Sequence, residues 1–323
     1  MPVGELGVTF IFMAKVFSEL QKRSIPRRSF LASAGCALLL SSCSNKQEEV
    51  LKDAIPIDKV QFLQAGFADG FTMPSTLVTG TPQRAPFFIY GSNGLPVVNN
   101  LPSEIVGEFV LPSGSAQQVS LPQYNEGIPT PYFLLEFEIP YEDQGICQLK
   151  IDSQELSQVV EFRVISQTET NLIQVGETMR IADTPTFADS TGYDPLCTRP
   201  EPCPFHDINL KEALANNRPT ILLISTPGFC QTSICGPVLE LLIELPKNSN
   251  WDVIHAEVYT EPTKIAEGTD LQKLISPVIQ TYGMNFEPCF IVAGSDNKVL
   301  ARLDYAFDKS EMRKALDFLS QLG

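Results

Sequence analysis

Residues 225–237 read Ser-Thr-Pro-Gly-Phe-Cys-Gln-Thr-Ser-Ile-Cys-Gly-Pro, and they connect a predicted strand to a predicted helix. Before them, residues 219–226 form an apolar run that is typical of a strand in the middle of a sheet. After them, residues 238–245 carry apolar side chains at helical spacing. A thiolate at the start of a helix is stabilised by unpaired N–H groups and by the helix dipole, which lowers its pKa. The pattern therefore predicts a reactive thiol at Cys230, with Cys235 as its partner.

Strands and helices alternate around this stretch, from about residue 176 to the C-terminus. The apolar periodicity predicts, in order, a helix, a strand, a helix, a strand, a helix, two strands that form a hairpin, and a closing helix. Their predicted ranges are 207–215, 219–226, 238–245, 251–258, 270–282, 290–293, 299–303 and 309–322. This order predicts an α/β domain over residues 176–323.

This order of elements resembles the thioredoxin fold, and further sequence marks support the resemblance. A cysteine directly after a buried strand, here Cys230, is where that superfamily keeps its nucleophile. Glu287-Pro288-Cys289 matches the position of the superfamily's cis-proline, and residues 176–187 look like the opening segment of the redoxin and thiol-specific-antioxidant branch. The resemblance implies thiol–disulfide exchange with protein thiols and disulfides, without a cofactor. In that reaction Cys230 attacks, Cys235 resolves, and Pro288 shapes the substrate groove.

The two cysteines are separated by four residues, whereas thioredoxins separate theirs by two. Five positions along a continuous helix correspond to a rise of about 7.5 Å. The Cα atoms would then lie beyond the roughly 7 Å limit for a disulfide. We therefore expect the segment to be partly non-helical, or to unwind on oxidation, and Gly236-Pro237 is compatible with both.

Two other functions remain open from the sequence. The four-residue spacing resembles the atypical two-cysteine peroxiredoxins of the bacterioferritin-comigratory type. However, Thr226 lies one residue too far from Cys230 for their motif, and no arginine directly precedes the strand at 290–293. The Cys230–Cys235 bond could also be a structural disulfide in a non-catalytic binding or assembly protein. A thiol–disulfide oxidoreductase is the function that we expect.

A second group of cysteines precedes the α/β core, in Cys197-Thr-Arg-Pro-Glu-Pro-Cys203-Pro-Phe-His206. We expect a Cys197–Cys203 disulfide that pins this proline-rich loop near the active site. The alternative is a metal site, because Cys-x5-Cys-x2-His supplies three soft ligands. The thiols could also be unpaired, or could pair with Cys147 or Cys289.

The overall composition argues against several classes of function. The chain has only two histidines, His206 and His255, which disfavours multi-histidine metal centres, and we expect no bound metal. His255 falls in the middle of a predicted strand, where we expect a core residue. The net charge of −15 repels phosphate backbones, so we expect no nucleic-acid partner.

Residues 58–167 have a different texture from the rest of the chain. Short apolar runs are separated by clusters of Pro, Gly, Asn and Ser at roughly 8–12-residue spacing, which is typical of an all-β sandwich. We expect an immunoglobulin-like sandwich that precedes the thioredoxin-like domain, with the boundary near residues 166–175. The segment has no histidine and a single cysteine, Cys147, which we expect to be a buried strand thiol.

The N-terminal segment resembles an export signal. Residues 26–43 read PRRSFLASAGCALLLSSC, in which an Arg-Arg-x-Phe-Leu motif precedes a short apolar run and a lipobox-like Leu-Ser-Ser-Cys. The resemblance implies a twin-arginine lipoprotein signal peptide over residues 1–43, cleaved before a lipidated Cys43, and residues 44–57 look like a tether. An uncleaved anchor or a buried helix is the alternative. We therefore expect a protein of the cell envelope, lipid-anchored on the extracytoplasmic side of the membrane, where the environment is oxidising.

Overall fold

The computed structural model describes residues 61–67, 77–153, 156–229, 234–245, 248–265 and 267–320. The expected signal peptide and tether lie outside the described residues, and so do Cys43 and Cys230. Within the described part of the chain, no helix combines the length and the apolar character needed to cross a membrane. Residues Gln61–Gly323 form one compact unit, and the unit Met1–Val60 lies wholly outside the described residues.

In the described residues, the first part of the compact unit contains an antiparallel sheet of seven strands. Their order across the sheet is β1-β2-β5-β4-β3-β6-β7. The strands are β1 (Gln61–Ala65), β2 (Gln83–Gly91), β3 (Glu104–Val110), β4 (Ala116–Tyr124), β5 (Tyr132–Phe137), β6 (Gly145–Asp152) and β7 (Ser157–Val164). The all-β texture predicted for residues 58–167 is thus present.

This sheet folds at β4 into two halves, β1-β2-β5-β4 and β4-β3-β6-β7, which is the strand grouping of the predicted immunoglobulin-like sandwich. Strand β4 pairs with β3 up to Pro122 and then with β5 through Gln123 and Tyr124. Proline has no N–H to donate to a ladder, so a change of partner at Pro122 is favourable. At the other end, the Gln158 side chain bonds both the N–H and the carbonyl of Leu63, at 2.8 and 2.9 Å, which brings β7 against β1.

The aromatic rings inside the folded sheet surround Phe162. The Phe162 ring lies 5.4, 5.9 and 5.9 Å from those of Phe67, Phe109 and Phe137. Cys147 is fully buried in the same core, and burial raises the pKa of its thiol to about 12. The expected buried strand thiol is confirmed, and it is poorly suited to nucleophilic chemistry.

The second part carries a four-stranded sheet in the order β11-β10-β8-β9. Strands β8 and β9 are parallel, and β10 is antiparallel to both β8 and β11. This is the sheet arrangement of the thioredoxin fold. Its elements are α1 (Leu210–Ala213), β8 (Thr220–Ile224), α2 (Cys235–Glu244), β9 (Asp252–Ala256), α3 (Pro277–Tyr282), β10 (Cys289–Ala293), β11 (Val299–Asp304) and α4 (Lys309–Ser320).

One predicted helix differs from the structure. The amphipathic run at 270–282 contains a short 3₁₀ turn, Leu271–Lys273, and then the separate helix α3. The break falls at Ser276 and Pro277, the N-cap and first residue of α3. Proline at a helix start is favourable because its missing N–H needs no partner there, whereas in a helix interior it removes a hydrogen bond.

The two sheets share buried side chains. Ile128, Tyr132 and Leu134, from the part that contains the first sheet, belong to the same hydrophobic cluster as Phe290 and Phe307 of the second part. The predicted boundary at residues 166–175 separates the two sheets along the chain, while both lie in the single compact unit Gln61–Gly323. The division into two domains therefore stays a prediction.

Candidate functional site

Cys235 is the first residue of α2, the helix that follows the central strand β8. Its side chain is fully buried and is part of a disulfide bond. Among the described cysteines, Cys147, Cys197, Cys203 and Cys289 are all free, so none of them is its partner. The predicted partner, Cys230, lies outside the described residues. The structure thus places one member of the predicted pair at the expected strand–helix junction.

The Glu287–Pro288 peptide bond is cis, as predicted from the sequence. Pro288 directly precedes β10, whose first residue, Cys289, is paired with Ile224 at the end of β8. Because β8 and β10 are antiparallel, Pro288 lies beside the first residues of the stretch that leads to the cysteines. A hydrogen bond of 2.7 Å from the Thr226 N–H to the Glu287 carboxylate holds the segment after β8 to the segment before β10.

The surface next to this junction is partly apolar. Phe229, directly before Cys230 in the sequence, is 40% exposed. On the cis-proline side, the half-buried Tyr305 ring stacks on the buried Phe286 ring at 4.2 Å, and the Tyr305 N–H donates to the Pro288 carbonyl at 2.9 Å. An exposed aromatic ring can contact an extended peptide.

Two carboxyl groups interact with Thr226. Glu287 accepts the Thr226 N–H, and fully buried Glu257 accepts the Thr198 N–H at 2.6 Å. Burial raises the pKa of Glu257 and of Glu287 to about 8, and repulsion from Glu257 adds to the effect at Glu287. Groups that titrate near neutral pH can both take and give protons during catalysis.

A Glu287→Gln substitution should make the stability of the protein less dependent on pH. The pKa of Glu287 is raised from 4.5 to about 8, so the folded protein keeps a proton that the unfolded chain loses over this range. The resulting stabilisation is fully present below about pH 4.5 and is lost as the pH rises towards 8. At 1.36 kcal/mol per pKa unit, we expect a loss on the order of 2–4 kcal/mol for this partly buried group.

The measurement is urea unfolding of the wild type and of Glu287→Gln at pH 5 and pH 8, with the disulfide intact. The variant should lose less stability than the wild type between these values. Glu136→Gln is the matched control, because it makes the same chemical change at an exposed side chain whose ion pair contributes little to stability. Equal pH slopes for the wild type and Glu287→Gln would contradict the prediction.

The second predicted cysteine group is brought together with a histidine that the sequence interpretation assigned to the core. Cys197, Cys203, His206 and His255 are all buried, and one ligand atom from each lies within 4.8 Å of the others. Cys197 and Cys203 are free cysteines, so the structure does not contain the disulfide predicted between them. Their sulphurs face the Nδ1 atom of His255 instead, at 3.7 and 3.5 Å.

The two thiols of this cluster have opposite pKa shifts. Hydrogen-bond contacts with Cys203, His206 and His255 lower the pKa of Cys197. The same contact between the thiols raises the pKa of Cys203, which keeps its proton. These residues are the only His/Cys/Asp/Glu group in the described part of the chain whose ligand atoms converge as a metal site requires.

Cys289 is near the cis-proline but is chemically protected. It is fully buried and donates to the Asp304 carboxylate at 3.4 Å. Burial and the Asp304 charge raise the pKa of its thiol well above the usual range. Cys289 therefore lacks the thiolate character that a nucleophile needs.

The sheet order, the disulfide-bonded cysteine at the start of α2 and the adjacent cis-proline define a protein with a thioredoxin-like fold. No family model matches the sequence, and no curated protein matches it. Among solved structures, the chain is similar to the C-terminal domain of a protein described as a "putative thiol-disulfide oxidoreductase" from Bacteroides thetaiotaomicron. The two are 13% identical with a TM-score of 0.31, over 46% of this chain and 98% of that domain.

Proposed function

We propose that this protein is a thiol–disulfide oxidoreductase whose redox-active pair is Cys230 and Cys235. The observation that carries the proposal is the disulfide at Cys235, buried at the first residue of the helix that follows the central strand. Cys230 precedes it by five positions in the same loop-to-helix stretch. The adjacent cis-Pro288 and the exposed Phe229 support a peptide-binding surface beside the pair.

In the reductive direction, the Cys230 thiolate attacks a disulfide of the substrate protein. A mixed disulfide forms, and one substrate sulphur leaves as a thiolate that takes up a proton. The Cys235 thiolate then attacks the Cys230 sulphur, which closes the Cys230–Cys235 disulfide and releases the second substrate thiol. Two electrons pass to the substrate, and an external dithiol must reduce the pair again. The direction of the overall reaction depends on the two reduction potentials.

An insulin-reduction assay with dithiothreitol as reductant tests the proposal. The wild type should accelerate the reduction, and Cys230→Ser should fall to the uncatalysed rate. Cys147→Ala is the control, because Cys147 is a free thiol in the core of the first sheet and should leave the rate unchanged. A wild-type rate equal to that of Cys230→Ser would contradict the proposal.

The reduction potential distinguishes a catalytic pair from a structural disulfide. Structural disulfides usually have potentials below about −300 mV, and we expect the Cys230–Cys235 couple to lie above that value. A lower potential without insulin reduction would instead support the non-catalytic binding protein on a thioredoxin-like fold. Peroxide consumption that depends on Cys230 would support the peroxidase.

We further propose that the protein acts in the cell envelope, on the extracytoplasmic side of a membrane, and is attached through lipidated Cys43. The support is the order of the twin-arginine motif, the short apolar run and the lipobox-like residues at 27–43. In a host with this export route, wild-type protein should fractionate with membranes and Cys43→Ala should not. Equal fractionation of both proteins would refute the lipid anchor.

A further inference from the structure

We propose that Cys197, Cys203, His206 and His255 bind a zinc ion in a closed, tetrahedral site. All four side chains are buried, and their ligand atoms lie within 4.8 Å of one another. The proposed thiol–disulfide exchange at Cys230 and Cys235 uses none of them. The site is thus a separate feature of the same part of the protein.

Three sulphur–nitrogen distances within the cluster match those that a tetrahedral zinc ion imposes on its ligands, and all the ligand atoms lie within 4.8 Å of one another. With Zn–S of about 2.3 Å and Zn–N of about 2.0–2.1 Å, tetrahedral angles separate a sulphur from a nitrogen by about 3.5 Å. Cys203 Sγ lies 3.4 Å from His206 Nε2 and 3.5 Å from His255 Nδ1. Cys197 Sγ lies 3.7 Å from the same His255 atom.

Hydrogen bonds on the far side of each imidazole leave the correct nitrogen free to bind a metal. His206 Nδ1 lies 3.3 Å from the Pro185 carbonyl, and His255 Nε2 lies 3.1 Å from the Ser225 carbonyl. A carbonyl oxygen only accepts, so these nitrogens carry the protons. The ring nitrogens that face the sulphurs, His206 Nε2 and His255 Nδ1, are then the ones that would bind the metal. Backbone carbonyls fix metal-binding histidines in this way in many metalloproteins.

Charge balance also favours a cluster that holds a zinc ion over the same four buried side chains without a metal. Two cysteine thiolates balance the two positive charges of the ion, so the loaded site has no net charge despite its burial. Two sulphurs with two imidazoles are a ligand set that zinc adopts in structural sites. Because four protein ligands leave no open position for water or substrate, the expected role is structural.

The site would fasten a loop to the sheet beside the redox-active stretch. The loop contributes Cys197, Cys203 and His206, and the edge strand β9 contributes His255. The backbone N–H of His255 also donates to the carbonyl of Phe205 in the loop, at 3.1 Å. The same loop holds Thr198, whose hydroxyl accepts the Gly228 N–H at 2.9 Å. A metal at this position would therefore order the residues directly before Cys230.

The test begins with the metal content of the purified full-length protein, measured by mass spectrometry under reducing conditions. We expect one zinc ion per chain. After removal of the metal, cobalt(II) titration should give the intense ligand-field bands of a tetrahedral centre, together with thiolate-to-cobalt charge-transfer bands. The wild-type spectrum alone tests the geometry, so this part of the test does not depend on the folding of any variant.

Variants then assign the ligands. Cys203→Ser and His255→Gln should each weaken zinc binding at least about tenfold. Cys147→Ala, which removes a buried thiol elsewhere, should bind zinc as the wild type does. Cys230→Ser should also retain the metal, which separates a failure of this proposal from a failure of the oxidoreductase proposal.

Several results would overturn the zinc site. They are folded wild-type protein that binds neither zinc nor cobalt, an octahedral cobalt spectrum, and a Cys197–Cys203 disulfide in the purified protein. A copper ion in place of zinc, bound as isolated and not displaced by zinc, would also refute it. Zinc that is released in parallel with unfolding and rebinds on refolding would support the structural role.

Discussion

Replacing Cys235 with serine should turn the protein into a trap that stays covalently joined to its substrate. Under the proposed mechanism, Cys230 still attacks the substrate disulfide, but no thiolate is present to break the mixed disulfide that forms. Catalytic insulin reduction should therefore fall to the uncatalysed rate while the adduct accumulates. Serine is close to cysteine in size, which suits the fully buried position at the start of α2.

Glutathione disulfide is a convenient probe for this experiment, because its adduct has a defined mass. Intact mass spectrometry of Cys235→Ser should show one glutathione per chain, removed by dithiothreitol, and peptide mapping should place it on Cys230. The double variant Cys230→Ser/Cys235→Ser is the control and should not form this adduct. Modification of Cys147, Cys197, Cys203 or Cys289 in place of Cys230, or no adduct at all, would refute the assigned roles.

The strand–helix junction at Cys235 and the cis-proline could be predicted from the sequence because their signals are local. A buried apolar strand, a cysteine stretch and a helix follow one another within residues 219–245, and the structure places β8, Cys235 and α2 there. The Glu287–Pro288 peptide bond was likewise expected from its position before a hairpin, and it is cis. Each feature depends on neighbours in sequence, which a single chain displays directly.

The cysteine–histidine cluster could not be predicted in full because its fourth member is distant in sequence. Cys203 and His255 are 52 positions apart, and their contact depends on the loop that covers the edge strand β9. In the sequence, His255 is simply a polar residue within an apolar run. The only signal in the sequence was a histidine expected to be buried, in a chain that also contains cysteines without an assigned partner. That signal did not show which loop would cover the histidine.

The shape of the first sheet also depended on a non-local choice. Its strand texture was visible in the sequence, but the change of partner within β4 was not. Pro122 was the local sign of that change, because a proline inside a strand weakens pairing on one side. Which strand replaces β3 beyond Pro122 depends on how the aromatic core around Phe162 packs.

The second large effect is expected at a buried ion pair, where Glu311→Gln should lower the free energy of unfolding by about 3–5 kcal/mol. Arg84 of β2 and Glu311 of α4 form a two-pronged pair, with N···O distances of 3.0 and 2.6 Å. The two side chains are only 10% and 6% exposed. The substitution keeps the shape of the side chain but leaves the Arg84 charge buried without its partner. Urea unfolding at neutral pH is the measurement.

Glu136→Gln is the matched control, because Glu136 pairs with Lys314 at 3.3 Å and the two side chains are 62% and 67% exposed. Exposed pairs contribute about 0–1 kcal/mol, so this change should have little effect. A double variant, Arg84→Met/Glu311→Leu, should recover much of the lost stability, because removing both charges also removes their desolvation cost. If Glu311→Gln were no more destabilising than Glu136→Gln, the pair would not hold the first sheet to α4.

Since Arg84 also donates to the carbonyls of Asp304 and Ala306, at 2.6 Å each, the destabilisation should include the chain between β11 and α4. Faster backbone amide exchange over that segment in Glu311→Gln would show the same link directly.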